Sequence, residues 1–221
     1  MIKIFGYGED ALTLWALKKQ VSKILKKLND KSDPSNCLLF FRPSFGRESG
    51  KSTFGEFDAI LAFLENIYLI ESKWDGLSQN KRETIKLSYK QVLRHRIFSW
   101  YFKKYFKNWC NGQYRDWEEF SNDVQKCFEN KFSTKKIAPK GSLLAKNLEF
   151  VLKELYKHVK CNKQIKNVLL YFYDSNKSRQ IKRVIPDDFK VINIEYEKYI
   201  SGNFISLDFA KDNLTLDGGI W

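Results

Sequence analysis

Histidine, methionine and proline are scarce in this chain, with two, one and four copies in 221 residues. The only histidines are His95 and His158, and the four cysteines, Cys37, Cys110, Cys127 and Cys161, stand far apart with no Cys-x-x-Cys, so a zinc site is not expected. The cysteines read as thiols of a reducing compartment. No run approaches 18 apolar residues, and no long apolar segment follows the start Met1-Ile2-Lys3. Neither a membrane span nor a signal peptide is therefore expected, and the expected location is cytoplasmic. No internal repeat or low-complexity segment is present, which excludes a solenoid and a disordered tail as the organising feature.

Acidic residues are also in short supply: 26 Asp and Glu stand against 39 Lys and Arg, giving a net charge of +13 and a pI near 9.4. Such an imbalance points to a polyanionic partner, and on charge alone nucleic acid and an anionic membrane both qualify. What the chain does have is apolar and aromatic material, 43% and 16% of its residues. That suits one domain with an insertion, or a domain with a small lobe, able to bury a real core.

The pattern centres on Phe54 to Trp74, where two runs rich in β-branched and aromatic residues flank Glu65-Asn66 in the manner of a hairpin. If the turn centres between Leu64 and Glu65, Asp58 lies opposite Glu71 and Glu56 opposite Lys73. Directly opposed side chains have Cβ atoms about 5 Å apart. The period of two puts Asp58 and Glu56 on one face and Glu71 and Lys73 on the matching one. Carboxylates and an ammonium then converge beside the apolar run Ile67-Tyr68-Leu69-Ile70, where unpaired charge is costly. The alternative is a hairpin that runs out into solvent and carries ordinary strand-end charges.

An acid on one strand followed by Glu-x-Lys on the next, here Asp58 and then Glu71-Ser72-Lys73, resembles the PD-(D/E)xK, or restriction-endonuclease-like, phosphodiesterases. The stretch Gly55-Glu56-Phe57-Asp58-Ala59-Ile60 is most similar to the branch that holds Holliday junction resolvases; Phe57 stands where the name-giving pattern has Pro. The resemblance implies an α/β fold (α+β mixed sheet) with a restriction-endonuclease-like αβββαβ core over residues 1–111 and 165–221. It implies a Mg²⁺ site, with Mn²⁺ able to substitute, whose ligands are Asp58, Glu71 and the carbonyl of Ser72, with Glu9 binding directly or through water. Lys73 is then the residue that orients or deprotonates the attacking water or stabilises the phosphate, and Glu56 is its salt-bridge partner or a further acid.

The function implied is a metal-dependent endodeoxyribonuclease of restriction, junction-resolving, repair or mobile-element type, with DNA as partner and no membrane. A catalytically inactive nucleic-acid-binding module of a larger complex is the alternative, and a membrane-surface or scaffold role a third. A nuclease that cuts both strands often acts as a symmetric pair, so a homodimer is compatible with this reading.

Residues 8–28 have helical periodicity, with Leu14, Leu17, Val21, Ile24 and Leu28 on one side and lysines on the other. Glu9 and Asp10 fall in the first turn, where the helix dipole favours acids; the resemblance adds a metal-site role for Glu9 or, less well matched, Asp10. Cys37 to Phe41 reads as a strand. The loop after it carries Arg42, Arg47 and Lys51 and reads as a surface touching a phosphate backbone or as a solvated turn. Gly50-Lys51-Ser52 is not a P-loop, because Phe45 stands where the first Gly is required and a strand follows.

A long helix is expected from about Glu83 to Trp109, with Ile85, Tyr89, Val92, Leu93, Ile97, Trp100 and Tyr101 on its apolar stripe. Residues 81–109 hold nine Lys or Arg against one acid, so Lys81 and Arg82 join the expected DNA-binding surface. Gln91 matches a helix position that in some relatives touches the scissile region; otherwise it is an exposed helix glutamine. From Gly112 an inserted region is expected over 112–164, with helices over 117–132 and 143–159 that could serve as a DNA-facing lobe, a dimer arm or a cover for the sheet. Val168 to Tyr173 and Val191 to Tyr196 read as strands separated by a polar stretch. The last 35 residues reverse the charge, with seven acids and three lysines, and suggest a final strand or hairpin.

Overall fold

The runs on either side of Glu65-Asn66 are apolar at every position because both faces of the sheet they enter are covered. The computed structural model describes residues 2–45, 55–76, 83–109, 112–132, 137–160, 164–196, 200–201 and 204–209. Arg47, Lys51, Lys81 and Arg82, expected to contact phosphate, lie outside these residues. In chain order the elements are β1 (Ile2–Gly6), α1 (Gly8–Lys19), α2 (Val21–Leu28), β2 (Leu38–Phe41), β3 (Ala59–Ala62), β4 (Asn66–Trp74), β5 (Thr84–Lys86), α3 (Tyr89–Trp109), α4 (Trp117–Lys131), α5 (Leu143–His158), β6 (Gln164–Tyr173), β7 (Arg183–Ile185), β8 (Phe189–Glu195), β9 (Ile200–Ser201) and β10 (Phe204–Phe209).

The protein is a mixed α/β fold whose main sheet has the strand order β2-β3-β4-β6-β8. The first three strands are antiparallel, and β4, β6 and β8 are parallel. The β3–β4 register pairs Ala59 with Ile70 and Ala62 with Ile67, as the hairpin reading requires. Alternation sends Ala59, Leu61, Tyr68 and Ile70 to one face, against α1 and α2, and Ile60, Ala62, Ile67 and Leu69 to the other, against α3, α4 and α5. Each large apolar side chain withdrawn from water contributes about 1.5–3 kcal/mol before the entropy of ordering is subtracted. A third cluster joins Ile85, Leu87 and Val92 to Leu169, Tyr171 and Val184.

Helices α4 and α5, the pair expected as an insertion, share a core with α3 and the sheet. Trp117, Phe120, Val124 and Phe128 from α4 and Leu148, Val151, Leu152 and Leu155 from α5 are all buried there. They therefore act as the sheet's cover. Asp116 caps α4 by accepting from the backbone N–H of Glu118 and Glu119 at 2.9 and 3.1 Å.

Three local expectations need correction. The helix over 8–28 is broken at Gln20 (φ −120°, ψ 11°) into α1 and α2. The break lets α1 lie over β4 and β6 while α2 turns onto β8, where Lys27 donates to the carbonyl of Asn193 at 2.6 Å. The helix expected from Glu83 starts at Tyr89 instead, because residues 84–86 form β5 in parallel with β7, a partner about a hundred positions away. Tyr89, placed on the buried stripe by periodicity, is 73% exposed. The strand near the carboxyl terminus, β10, pairs antiparallel with β1, a segment given no strand by its own pattern. Asp212 and Asp217 lie outside the described residues.

Candidate active site

At the end of the β3–β4 hairpin the ladder splays and the charged residues begin. Asp58 sits just before β3, half-buried, and its Oδ2 accepts the backbone N–H of Ser72 at 2.6 Å. Glu71, 2% exposed, and Lys73 project to the same side of β4, with Lys73 Nζ 3.2 Å from Glu71 Oε1. Glu9, in the first turn of α1, reaches the same ammonium at 3.4 Å through Oε1, and Lys73 Nζ also donates to the carbonyl oxygen of Ser72. Oxygens from Glu9, Glu71 and Ser72 thus surround one positive charge, with Asp58 beside them.

The elements that hold these residues explain the convergence. Glu71 and Lys73 are two apart on a strand and share a face. Thr13, one turn after Glu9 in α1, donates its hydroxyl proton to the Glu9 carbonyl at 2.8 Å and accepts from Ser72 Oγ at 2.8 Å, tying the helix start to the strand. Gly8, at φ +75°, sets the turn that enters α1, a conformation side chains resist. Beyond Lys73, buried Asp75 accepts from the N–H of Asp174, from Ser178 Oγ and, at 2.6 Å, from the Tyr196 hydroxyl. This clasp holds the ends of β4, β6 and β8 together.

Helix α3 supplies a set of residues that the motif does not contain. Gln91 donates through Nε2 to Glu71 Oε1, Arg94 donates to Glu71 Oε2 at 2.6 Å, and His95 Nε2 stands 3.8 Å from the same oxygen, beyond hydrogen-bond reach. The other His95 nitrogen, Nδ1, is 2.9 Å from Asn167 Oδ1, and the ring packs between Phe57 and Phe189. Positions 91, 94 and 95 share a helix face, the one signal that could have found Arg94 and His95 once Gln91 was placed. Gln91 is no exposed glutamine: it also closes a capping box in which its Oε1 accepts the N–H of Ser88 at 2.8 Å and Ser88 Oγ accepts the N–H of Gln91 at 3.3 Å. The same amide therefore starts α3 and steers its nitrogen to Glu71.

Two other expectations change. Arg42 is bound to Asp10 and to Glu56, the latter at 2.8 Å, so its charge is spent on the protein's own acids. Its backbone N–H bonds the Asp58 carbonyl at 3.1 Å, which makes it a brace for the acid it was expected to flank. Asp10 takes that arginine, and Glu9 is the first-turn acid that enters the site. Glu56 leaves the hairpin ladder and bridges Ser44.

Electrostatics divides the acids. Burial, reinforced by the charge of Glu71, pushes the Asp58 carboxyl up to about 7. Burial also opposes ionisation of Glu71, but the cations Lys73 and Arg94 on its two oxygens outweigh it and hold that carboxyl down at about 2. Glu9 is raised, chiefly by burial. Lys73 loses to burial but gains more from Glu71, Glu9 and Asp58, and its pKa rises, so it is a charged ammonium at neutral pH.

The donors are the kind a hard divalent cation takes: carboxylate oxygens and a carbonyl. Among the described residues no group of three His, Cys, Asp or Glu side chains is close enough to hold a metal by itself. The fit lies in three oxygens already gathered on a cation and in a neighbouring Asp58 whose charge burial penalises. Among those residues also, no helix is long and apolar enough to cross a membrane. Compared with known proteins, the chain matches no family model, no curated protein and no solved structure.

Proposed function

We propose that this chain is a metal-dependent endodeoxyribonuclease with a restriction-endonuclease-like core, in which Glu9, Asp58, Glu71, Ser72 and Lys73 form the catalytic centre. The observation that carries the reading is the gathering of Glu9, Glu71 and the Ser72 carbonyl on one cation beside the half-buried Asp58 carboxyl, held up to about 7. A cluster of acids around a buried carboxylate such as Glu71 is costly without a cation, and such clusters mark sites selected for chemistry.

In this reading Asp58, Glu71 and the Ser72 carbonyl hold Mg²⁺, or Mn²⁺ in its place, with Glu9 at the edge. The bound ion would polarise a non-bridging phosphate oxygen and lower the pKa of water. Lys73, charged at neutral pH, neutralises the acids and stabilises the negative charge that grows on the phosphate. Gln91 and Arg94 hold both Glu71 oxygens, so that the carboxylate cannot rotate. The net charge of +13 draws in the polyanion.

A second reading, an inactive nucleic-acid-binding module, is favoured by one observation: both Glu71 oxygens already accept from protein donors, as they would in a purely structural ion-pair network. Cleavage separates the two. Supercoiled plasmid, linear duplex, single strand and four-way junction are incubated at low salt with Mg²⁺, Mn²⁺ or EDTA. The nuclease cuts at least one of them with metal, and Asp58→Ala abolishes cutting while the oligonucleotide is still bound. Binding of all four without cutting selects the inactive module.

A further inference from the structure

Helix α3 turns Gln91, Arg94 and His95 toward Glu71, but another of its faces borders a groove that the candidate active site does not use. Tyr89, Arg96, Trp100 and Lys103 line it on one side, Lys131 and Phe132 from the end of α4 on the other, and its volume is about 550 Å³. An adjoining recess shares Trp100, Lys103 and Lys131 and adds Lys104. That volume lies within the roughly 300–1,000 Å³ of small-molecule and cofactor sites.

The charge of this groove is uncompensated. Arg96, Lys103, Lys104 and Lys131 form no ion pair among the described residues, and Asp188 is the one acid on the wall. Three other lysines of the same layer are matched, Lys140 by Glu118, Lys153 by Glu149 and Lys157 by Glu154. Like charges gathered in a concave, partly apolar setting repel one another and focus a field that favours an anion. Tyr89, 73% exposed at the rim, offers an aromatic face beside them.

We propose that this groove is a second binding site for nucleotide units, with phosphate on Arg96, Lys103 and Lys131 and a base stacked on Tyr89. Base-on-aromatic stacking beside a basic track is how single strands are held without sequence preference. A membrane surface fits less well, because the cations line a concavity and no apolar helix face stands beside them to enter lipid. The groove also shares a wall with the candidate active site: Asn167 lines it, and Asn167 Oδ1 is 2.9 Å from His95 Nδ1. The inference rests on the reading of the chain as one that acts on nucleic acid, and the occupant is either a strand passing from the active site or a free nucleotide.

The test is fluorescence anisotropy of a labelled single-stranded oligonucleotide with the full chain in EDTA, across a salt series. The triple variant Arg96→Glu, Lys103→Glu, Lys131→Glu is compared with a control of equal charge, Lys19→Glu, Lys23→Glu, Lys26→Glu, on the opposite face of the sheet. The expected result is a loss of about tenfold or more in affinity for the groove variant alone, with the slope of log K against log salt reduced by about 2, since each phosphate contact on a single strand contributes about 0.7. Near-UV circular dichroism establishes that both variants are folded.

Adenosine monophosphate as competitor distinguishes the occupants. Displacement at millimolar concentration that disappears in the groove variant identifies a free nucleotide, and no displacement identifies the strand. Equal loss in the groove and control variants, unchanged binding in the groove variant, or loss of anionic-vesicle binding with oligonucleotide binding intact would each overturn the proposal. Because metal and cleavage play no part, failure here leaves the Asp58→Ala result untouched, and failure of that result leaves this one standing.

Discussion

Replacing Asp58 by Asn should stabilise the metal-free protein at alkaline pH, an unusual direction for a change in the interior. The reason is the Asp58 carboxyl, raised from 3.8 to about 7 by partial burial and by Glu71. An acid whose pKa is higher folded than unfolded holds its proton more tightly in the native state, so stability falls as pH rises from about 4 to about 7 and levels off above that. A rise of about 3 pK units at about 1.4 kcal/mol each puts the ceiling near 4 kcal/mol, and relaxation around the charge brings the expected gain for Asn to about 2 kcal/mol. The Asn side-chain oxygen can still accept the Ser72 N–H that Asp58 Oδ2 accepts at 2.6 Å.

Glu71 has the opposite sign: with its carboxyl lowered from 4.5 to about 2, its contribution is complete above pH 4.5 and is lost as pH falls toward 2. The two together place the site's metal-free optimum near pH 4 to 5. The assay is urea unfolding in EDTA at pH 4 and pH 8. Asp58→Asn should match the natural protein at pH 4 and exceed it at pH 8. Millimolar Mg²⁺ should then stabilise the natural protein at pH 8, by about 1.4 kcal/mol when it is tenfold above its Kd, and leave the variant unmoved. An Asp58→Asn protein less stable than the natural one at pH 8 in EDTA would refute the assignment of Asp58 as an uncompensated acid.

Gln91 joins two functions, which a pair of substitutions can separate. Gln91→Ala removes the capping box and the donor to Glu71 and should cost about 1–2 kcal/mol in urea unfolding. Gln91→Glu keeps the cap acceptor but sets a carboxylate against Glu71, so it should cost more than Ala above pH 5; equal stability to the natural protein would mean that the contact to Glu71 carries no energy. Thr13→Val leaves the volume of the buried Thr13 side chain but deprives the Ser72 hydroxyl of its acceptor. It should cost about 1–3 kcal/mol, read as a lower urea midpoint at constant m.

The hairpin was readable because it is local. Turn position, alternation and apolar content act within about twenty residues, and together they specify that Asp58 faces the Glu71 end of β4 in the register found. The helices over 117–132 and 143–159 were readable for the same reason, within a residue of α4 and α5. Residues 84–86 were not, since Ile85 continues the helical spacing of α3 and only β7 turns it into a strand. The Ser88-x-x-Gln91 box did mark the true helix start, but its signal is outweighed when periodicity alone is counted. The break at Gln20 has no Gly or Pro to announce it; it goes with α1 lying over β4 and β6 while α2 lies against β8.

The charge, the hairpin, its register and the meeting of Asp58, Glu71 and Lys73 at its end were legible along the chain, because these follow from composition and from contacts between near neighbours. What surrounds them came from packing between distant segments. That packing chose Glu9 for the site and spent Asp10 on Arg42, brought Arg94 and His95 to Glu71, and left a basic groove on the far side of α3. These are meetings between residues about 20 to 100 positions apart, and which of many compatible charges meet is settled by how helices pack on a sheet, a matter of shape that no local pattern encodes.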